Sequence, residues 1–189
     1  MLAGVIGKNG LQVRISQTDG TLTDCFCPDS GTIYLSSGVR NSDSPVSCAV
    51  ALHEFGHALM WKERRTFEGF SLWARKYQFR FCTVGIPIAL LYALLKLHAL
   101  GVLAAVLLGM FVLCTVCICV SEVSATCVAL NMLKKITLAR ESMGACKSLL
   151  VKCLMTYIGE AFVQVSGAVL LTTAAALAAC GKKASKNRS

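Results

Sequence analysis

Charge is scarce in this chain, and acidic charge scarcest of all. Charged residues are 15% of the 189, with ten Asp or Glu against nineteen Lys or Arg. Beyond residue 80 only three acids remain, Glu122, Glu141 and Glu160. Hydrophobic residues reach 55% and gather in that same stretch, which excludes an ordinary soluble domain and indicates an integral membrane protein. A basic patch interleaved with aromatics is missing, so the net charge of +9 does not point to nucleic acid. The basic excess flanks the apolar segments, where it reports orientation and contact with a lipid bilayer. Residues 1–10 lack a charged region followed by a long apolar run, so neither a signal peptide nor an anchor is expected there. The eleven cysteines do not form a disulfide framework. Their number is odd, and Cys82, Cys114, Cys117, Cys119, Cys153 and Cys180 lie in or beside apolar segments as small apolar residues. Cys25 and Cys27 have no second pair at zinc-finger spacing, and a reducing compartment is expected for residues 1–80.

Histidine is equally sparse, with three in the chain, yet two of them fall in one short stretch, His53-Glu54-Phe55-Gly56-His57. An accidental His-Glu-x-x-His is expected in roughly one such chain in a few hundred. On a helix the two imidazoles lie one turn apart on one face and can hold a single Zn²⁺. Glu54 then stands beside the metal, placed to take a proton from an attacking water. The bland alternative makes both histidines core residues of a buried helix, which would bury polar groups at a cost.

The pattern along the chain supplies the surroundings. Leu11 to Ser16 alternates apolar and polar residues and predicts a strand. Asp19-Gly20 and Pro28-Asp29-Ser30-Gly31 are turn chemistry on either side of Leu22 to Cys27, and Thr32 to Ser36 predicts a second strand. Residues 32–36 are a candidate sheet edge that could pair with an extended peptide, or a structural strand and nothing more. Ser44-Pro45 marks the start of the motif helix, expected over about 45–62. Thr66 to Phe81 mixes aromatics with Arg75, Lys76 and Arg80, as an interfacial segment does. From Phe81 to Val120 the only ionisable residues besides cysteine and tyrosine are Lys96 and His98, so Phe81–Leu97 and Ala99–Val120 are expected to form a transmembrane hairpin.

A hairpin returns the chain to the surface it left, which brings the segment from Val120 back to the motif. Glu122 there is either a third metal ligand or a solvated helix cap, with Glu141 the weaker competitor on the following loop. Ser121, Ser124 and Ala125 are small enough to let that helix approach another closely. Residues 131–152 are strongly basic, which predicts a cytoplasmic loop. Cys153 to Ala179 is a third apolar stretch, with Glu160 and Gln164 on one face. If it spans once, the basic tail lies outside, against the positive-inside rule; a re-entrant or interfacial helix removes the conflict.

These residues resemble the neutral zinc metallopeptidases of bacterial membranes, the YugP-like peptidases. The likeness rests on Asn9-Gly10-Leu11 with Val13-Arg14, Leu22-Thr23-Asp24 with Pro28, Leu35-Ser36, the stretch from Ala49 to Ala58, Glu122-Val123-Ser124-Ala125-Thr126 and Leu154-Met155-Thr156-Tyr157. It implies a zinc-dependent peptidase of the bacterial inner membrane with His53, His57 and Glu122 as ligands and Glu54 as base. Three departures stand out. The family carries an additional transmembrane helix before this start. Its loop Asp-His-Tyr-Asp is here Asp24-Cys25-Phe26-Cys27. Its acid two positions after the ligand Glu is here Ser124, a weaker orienting group for an imidazole.

The expected architecture is α+β and α-rich, an integral membrane protein. Residues 1–80 form a small zincin-like HExxH unit, residues 81–120 a transmembrane helical hairpin, and residues 121–152 a helix and basic loop completing the zinc site. Residues 153–180 form one further transmembrane or interfacial helix, and residues 181–189 a basic tail. The expected function is hydrolysis of peptide or protein substrates near the membrane, on the cytoplasmic side, with Zn²⁺ as cofactor. The alternative is a catalytically silent membrane scaffold with a structural zinc site. A transporter or channel subunit would rest on Glu160 and Gln164 alone. Tyr34, Arg40 and Asn41 precede the motif as candidates for stabilising an oxyanion.

Overall fold

A computed structural model describes residues 13–18, 24–135 and 140–186. It divides into two compact units, one of the residues up to Gly69 together with Val120–Tyr157, the other of Phe70–Cys119 with the residues from Ile158 onward.

In the first unit β1 (Arg14–Thr18), β2 (Cys25–Cys27) and β3 (Thr32–Ser36) form a sheet in the order β1-β3-β2. β3 runs parallel to β1, with Arg14 opposite Thr32, and antiparallel to β2, with Phe26 opposite Ile33. The expectation of an edge at residues 32–36 is therefore corrected: β3 is paired on both sides, and among the described residues β1 and β2 are the outer strands. The physical reason lies in the side chains of β3, since Ile33 and Leu35 enter the core and a strand with that much apolar surface belongs in the middle. The turn between β2 and β3 places Gly31 at φ +60°, a backbone conformation that suits glycine. The Asp24 carboxylate accepts the Ser36 N–H at 2.6 Å and fastens the entry of β2 to the exit of β3. The expected Asp19-Gly20 turn, and residues 11 and 12 of the first expected strand, lie outside the described residues.

A single-turn helix α1 (Ser37–Arg40) leads to the motif helix α2 (Pro45–Glu63). Ser44 caps it by accepting the Ser47 N–H at 3.1 Å, and Pro45 fills the first helical position as the sequence implies. Leu52, Phe55 and Ala58 face the core, joined there by Ile33, Leu35, Ala129, Met132, Leu133, Cys146 and Leu150.

Three longer helices follow, α3 (Arg65–Leu95), α4 (His98–Leu133) and α5 (Arg140–Lys186). Each contains a segment long and apolar enough to cross a membrane: Arg65–Leu95, His98–Leu133 and Glu141–Leu171. The second unit holds the turn of the hairpin. Lys96 sits at φ 59° with its N–H on the Tyr92 carbonyl at 2.8 Å, and Gly101 leaves room for the Tyr92 ring, 3.0 Å from where a Cβ would stand. Leu90, Leu94, Leu95, Val102 and Val106 are exposed, as lipid-facing side chains would be.

Two expected boundaries change. The aromatic segment 66–81 is the first part of α3, continuous with the apolar residues it leads into. The basic stretch 131–152 is largely helical: α4 continues to Leu133 and α5 begins at Arg140. Counting its charges as loop charges hid the helical spacing of Met143, Cys146 and Leu150, and the last two are buried in the core.

Candidate metal centre

The site begins with the register of α2. Because Leu52 and Phe55 are held in the core, His53, Glu54 and His57 take the remaining face of the same two turns. The partner is the part of α4 that belongs to the same unit. Ser121, Ala125 and Ala129, four residues apart, are almost fully buried and present a strip of small side chains. Gly56 completes the close approach. A Cβ added there would collide with the Ala125 carbonyl oxygen and come within 3.1 Å of its carbon, so no residue larger than glycine fits without moving backbone.

That approach brings Glu122 between the two imidazoles. Nε2 of His53 is 3.1 Å from Glu122 Oε2, and Nε2 of His57 is 3.5 Å from Oε1. The rings lie edge to face with centroids 4.8 Å apart. One ligand atom from each of the three residues falls within 4.8 Å of the others. Tetrahedral zinc with ligand distances near 2.0–2.2 Å holds its donors about 3.3–3.6 Å from one another; the two nitrogen–carboxylate distances are close to that, and the set of three spreads to 4.8 Å. Two imidazole nitrogens and a carboxylate oxygen are also the donor chemistry zinc takes. The position of Glu122 argues the same way, since at 2% exposure it is no solvated cap, and a buried carboxylate calls for positive charge beside it.

Glu54 lies next to this group without joining it. Its Oε2 accepts the backbone N–H of Phe26 from the side of β2 that faces away from β3, at 2.8 Å. Burial raises the pKa of Glu54 above the ordinary carboxylate range, and Glu122 adds to the rise, while His57, His53 and the Phe26 N–H oppose it. A cavity of ≈ 240 Å³ opens at His53 and Glu54, with Ala49, Leu150 and Tyr157 among its walls.

All four residues singled out from the sequence are thus in one place. Glu141 is not; it is exposed in the first turn of α5. Tyr34, Arg40 and Asn41 do not line the cavity, whereas Tyr157 does. The sequence reading missed three neighbours. Thr126 Oγ1 is 3.4 Å from Nδ1 of His53, and Glu68 Oε2 is 4.0 Å from Nδ1 of His57. The Phe26 amide is the third. A signal for Glu68 existed, since it is the one acid among the aromatic and basic residues of 66–81.

Two histidines one turn apart on one helix, joined by a carboxylate from a second helix, form a group that could hold a metal ion. The chain belongs to a family described as "Putative neutral zinc metallopeptidase", whose model matches residues 3–176. Searches of curated proteins and of solved structures returned no significant match.

Proposed function

We propose that the protein is a membrane-embedded zinc peptidase that hydrolyses peptide bonds beside the bilayer with its catalytic unit on the cytoplasmic side. His53, His57 and Glu122 hold the ion, and Glu54 is the base. The observation that carries this reading is Glu54 itself. A structural zinc scaffold needs no carboxylate outside its ligand set, and here one is held at the mouth of a cavity by the Phe26 N–H.

When bound, zinc supplies Lewis acidity and makes a water acidic enough to lose a proton near neutral pH. Glu54 receives that proton on its carboxylate and returns it to the departing amine. Burial, which makes its protonated form more accessible, suits a group that must both take and give. β2, an outer strand of the sheet, lies directly beside Glu54, which accepts the Phe26 N–H. Tyr157, which lines the same cavity, is the residue we assign to stabilise the developing oxyanion. Lys134, Lys135, Lys147 and Lys152, close to the apolar segments, support the cytoplasmic orientation.

The test is Glu54→Gln, assayed in liposomes with a degenerate library of fluorogenic peptides. The variant is expected to bind a full equivalent of zinc and to lose about 10²–10⁴-fold in turnover. Turnover within about tenfold of the parent would reject Glu54 as the base, and absence of turnover in the parent would reject the peptidase.

A further inference from the structure

We infer that Glu68 is a positioning residue for His57, holding the imidazole through Nδ1 so that Nε2 is presented to the metal. The inference rests on the reading of His53, His57 and Glu122 as zinc ligands. The two nitrogens of the His57 ring have different neighbours: Nε2 is 3.5 Å from the Glu122 carboxylate, and Nδ1 is 4.0 Å from Glu68 Oε2. The ring therefore lies between a carboxylate on the ligand side and another behind it. A proton on Nδ1, attracted to Glu68, leaves the Nε2 lone pair free for the ion, and the carboxylate behind the ring makes that nitrogen a stronger donor.

The surroundings of Glu68 support this role over a purely structural one. Its side chain is buried at 6% exposure, yet only one of its oxygens has a hydrogen-bond partner. Oε2 accepts the Ser121 hydroxyl at 2.9 Å, and Oε1 has no hydrogen-bond partner. A carboxylate in so little solvent with half its acceptors empty is costly unless positive charge stands near, and a metal-bound imidazole is such a charge. Ser121 precedes Glu122, so a single turn of α4 both supplies a ligand and steadies the carboxylate behind a second ligand. His53 has a weaker counterpart in Thr126, at 3.4 Å from its Nδ1.

The experiment compares Glu68→Ala and Glu68→Gln with the parent in detergent, in three readings. These are the zinc dissociation constant by chelator competition, the melting temperature of the metal-free protein, and the visible spectrum of the Co²⁺ form. Glu68→Ala is expected to saturate with one metal but to bind it about 10–100-fold more weakly, with a shifted Co²⁺ spectrum. Glu68→Gln keeps an oxygen that accepts from Ser121 and faces Nδ1, so it should recover part of that affinity while its metal-free form melts at or above the parent. A role in folding alone would not weaken zinc binding in a variant whose metal-free form is no less stable. Zinc affinity and Co²⁺ spectra unchanged in both variants would overturn the inference. Failure of the parent to bind zinc, or full affinity in His57→Ala, would overturn the ligand assignment and this inference together.

Discussion

Gly56→Ala tests the geometry on which the whole centre depends. The added methyl would overlap the Ala125 carbonyl oxygen, with the carbonyl carbon at 3.1 Å and Cα at 3.2 Å. Both partners are backbone, so no rotamer relieves the overlap. α2 and α4 must separate locally by roughly 1 Å to regain ordinary van der Waals distance. Overpacking of this kind costs about 1–3 kcal/mol, and the upper end applies where nothing can rotate away. Alanine recovers up to about 1 kcal/mol through its better helix propensity, which leaves a net loss of about 2 kcal/mol. The effect on zinc should be larger than the effect on stability. His57 adjoins Gly56 and Glu122 is three residues before Ala125, so the same separation moves ligands from the two helices apart, whereas ligand distances tolerate only about 0.2 Å. Zinc affinity is expected to fall at least about 100-fold, equivalent to about 2.7 kcal/mol. Gly144→Ala is the control, since nothing lies within 4 Å of its added methyl and it should bind zinc as the parent does. Isothermal competition with a chelator and thermal melting of the metal-free protein give both quantities. Unchanged zinc affinity in Gly56→Ala would refute the close crossing of α2 and the segment around Ala125.

Three further outcomes are expected. Glu122→Ala should lower zinc affinity sharply, because the site loses one of three protein ligands, and Glu141→Ala should not; metal content after dialysis would show the reverse pattern if the third ligand were wrong. Hydrogen bonding to Ser30 lowers the Cys27 pKa, whereas burial beside Cys146 pushes Cys48 up to about 11. Because the thiolate reacts, alkylation at pH 7.5 should be roughly 100-fold faster at Cys27, and Cys48 should accelerate as pH rises toward 11; peptide mass spectrometry showing equal rates would contradict this. Cys27 is therefore the better topology probe: a membrane-impermeant maleimide should label it only after lysis, and labelling in intact cells would reverse the proposed orientation.

Much of the centre was legible in local sequence. His53, Glu54 and His57 declare themselves because a helix converts a spacing of four into a shared face, and Ser44-Pro45 marks where that helix begins. The apolar segments and the turn near Lys96 follow from length and charge scarcity, since a bilayer sets both. Glu122 was within reach through topology, because a hairpin must return the chain to its starting surface.

What remained was decided by contacts between residues distant in the chain. Alternation identifies a strand but not its neighbours, so β3 passed for an edge until its pairing with both β1 and β2 placed it centrally. Charge counting made residues 131–152 a loop, although burial of Cys146 and Leu150 against α2 makes much of it helix. Glu68 stood out locally only as the one acid of residues 66–81, and its place behind His57 and against Ser121, 53 residues further along the chain, depends on tertiary packing. Periodicity and composition act over one or two turns and are written in the sequence itself. The exclusion of everything but glycine at position 56, and the choice of which carboxylate meets which imidazole, arise only when two helices pack backbone to backbone.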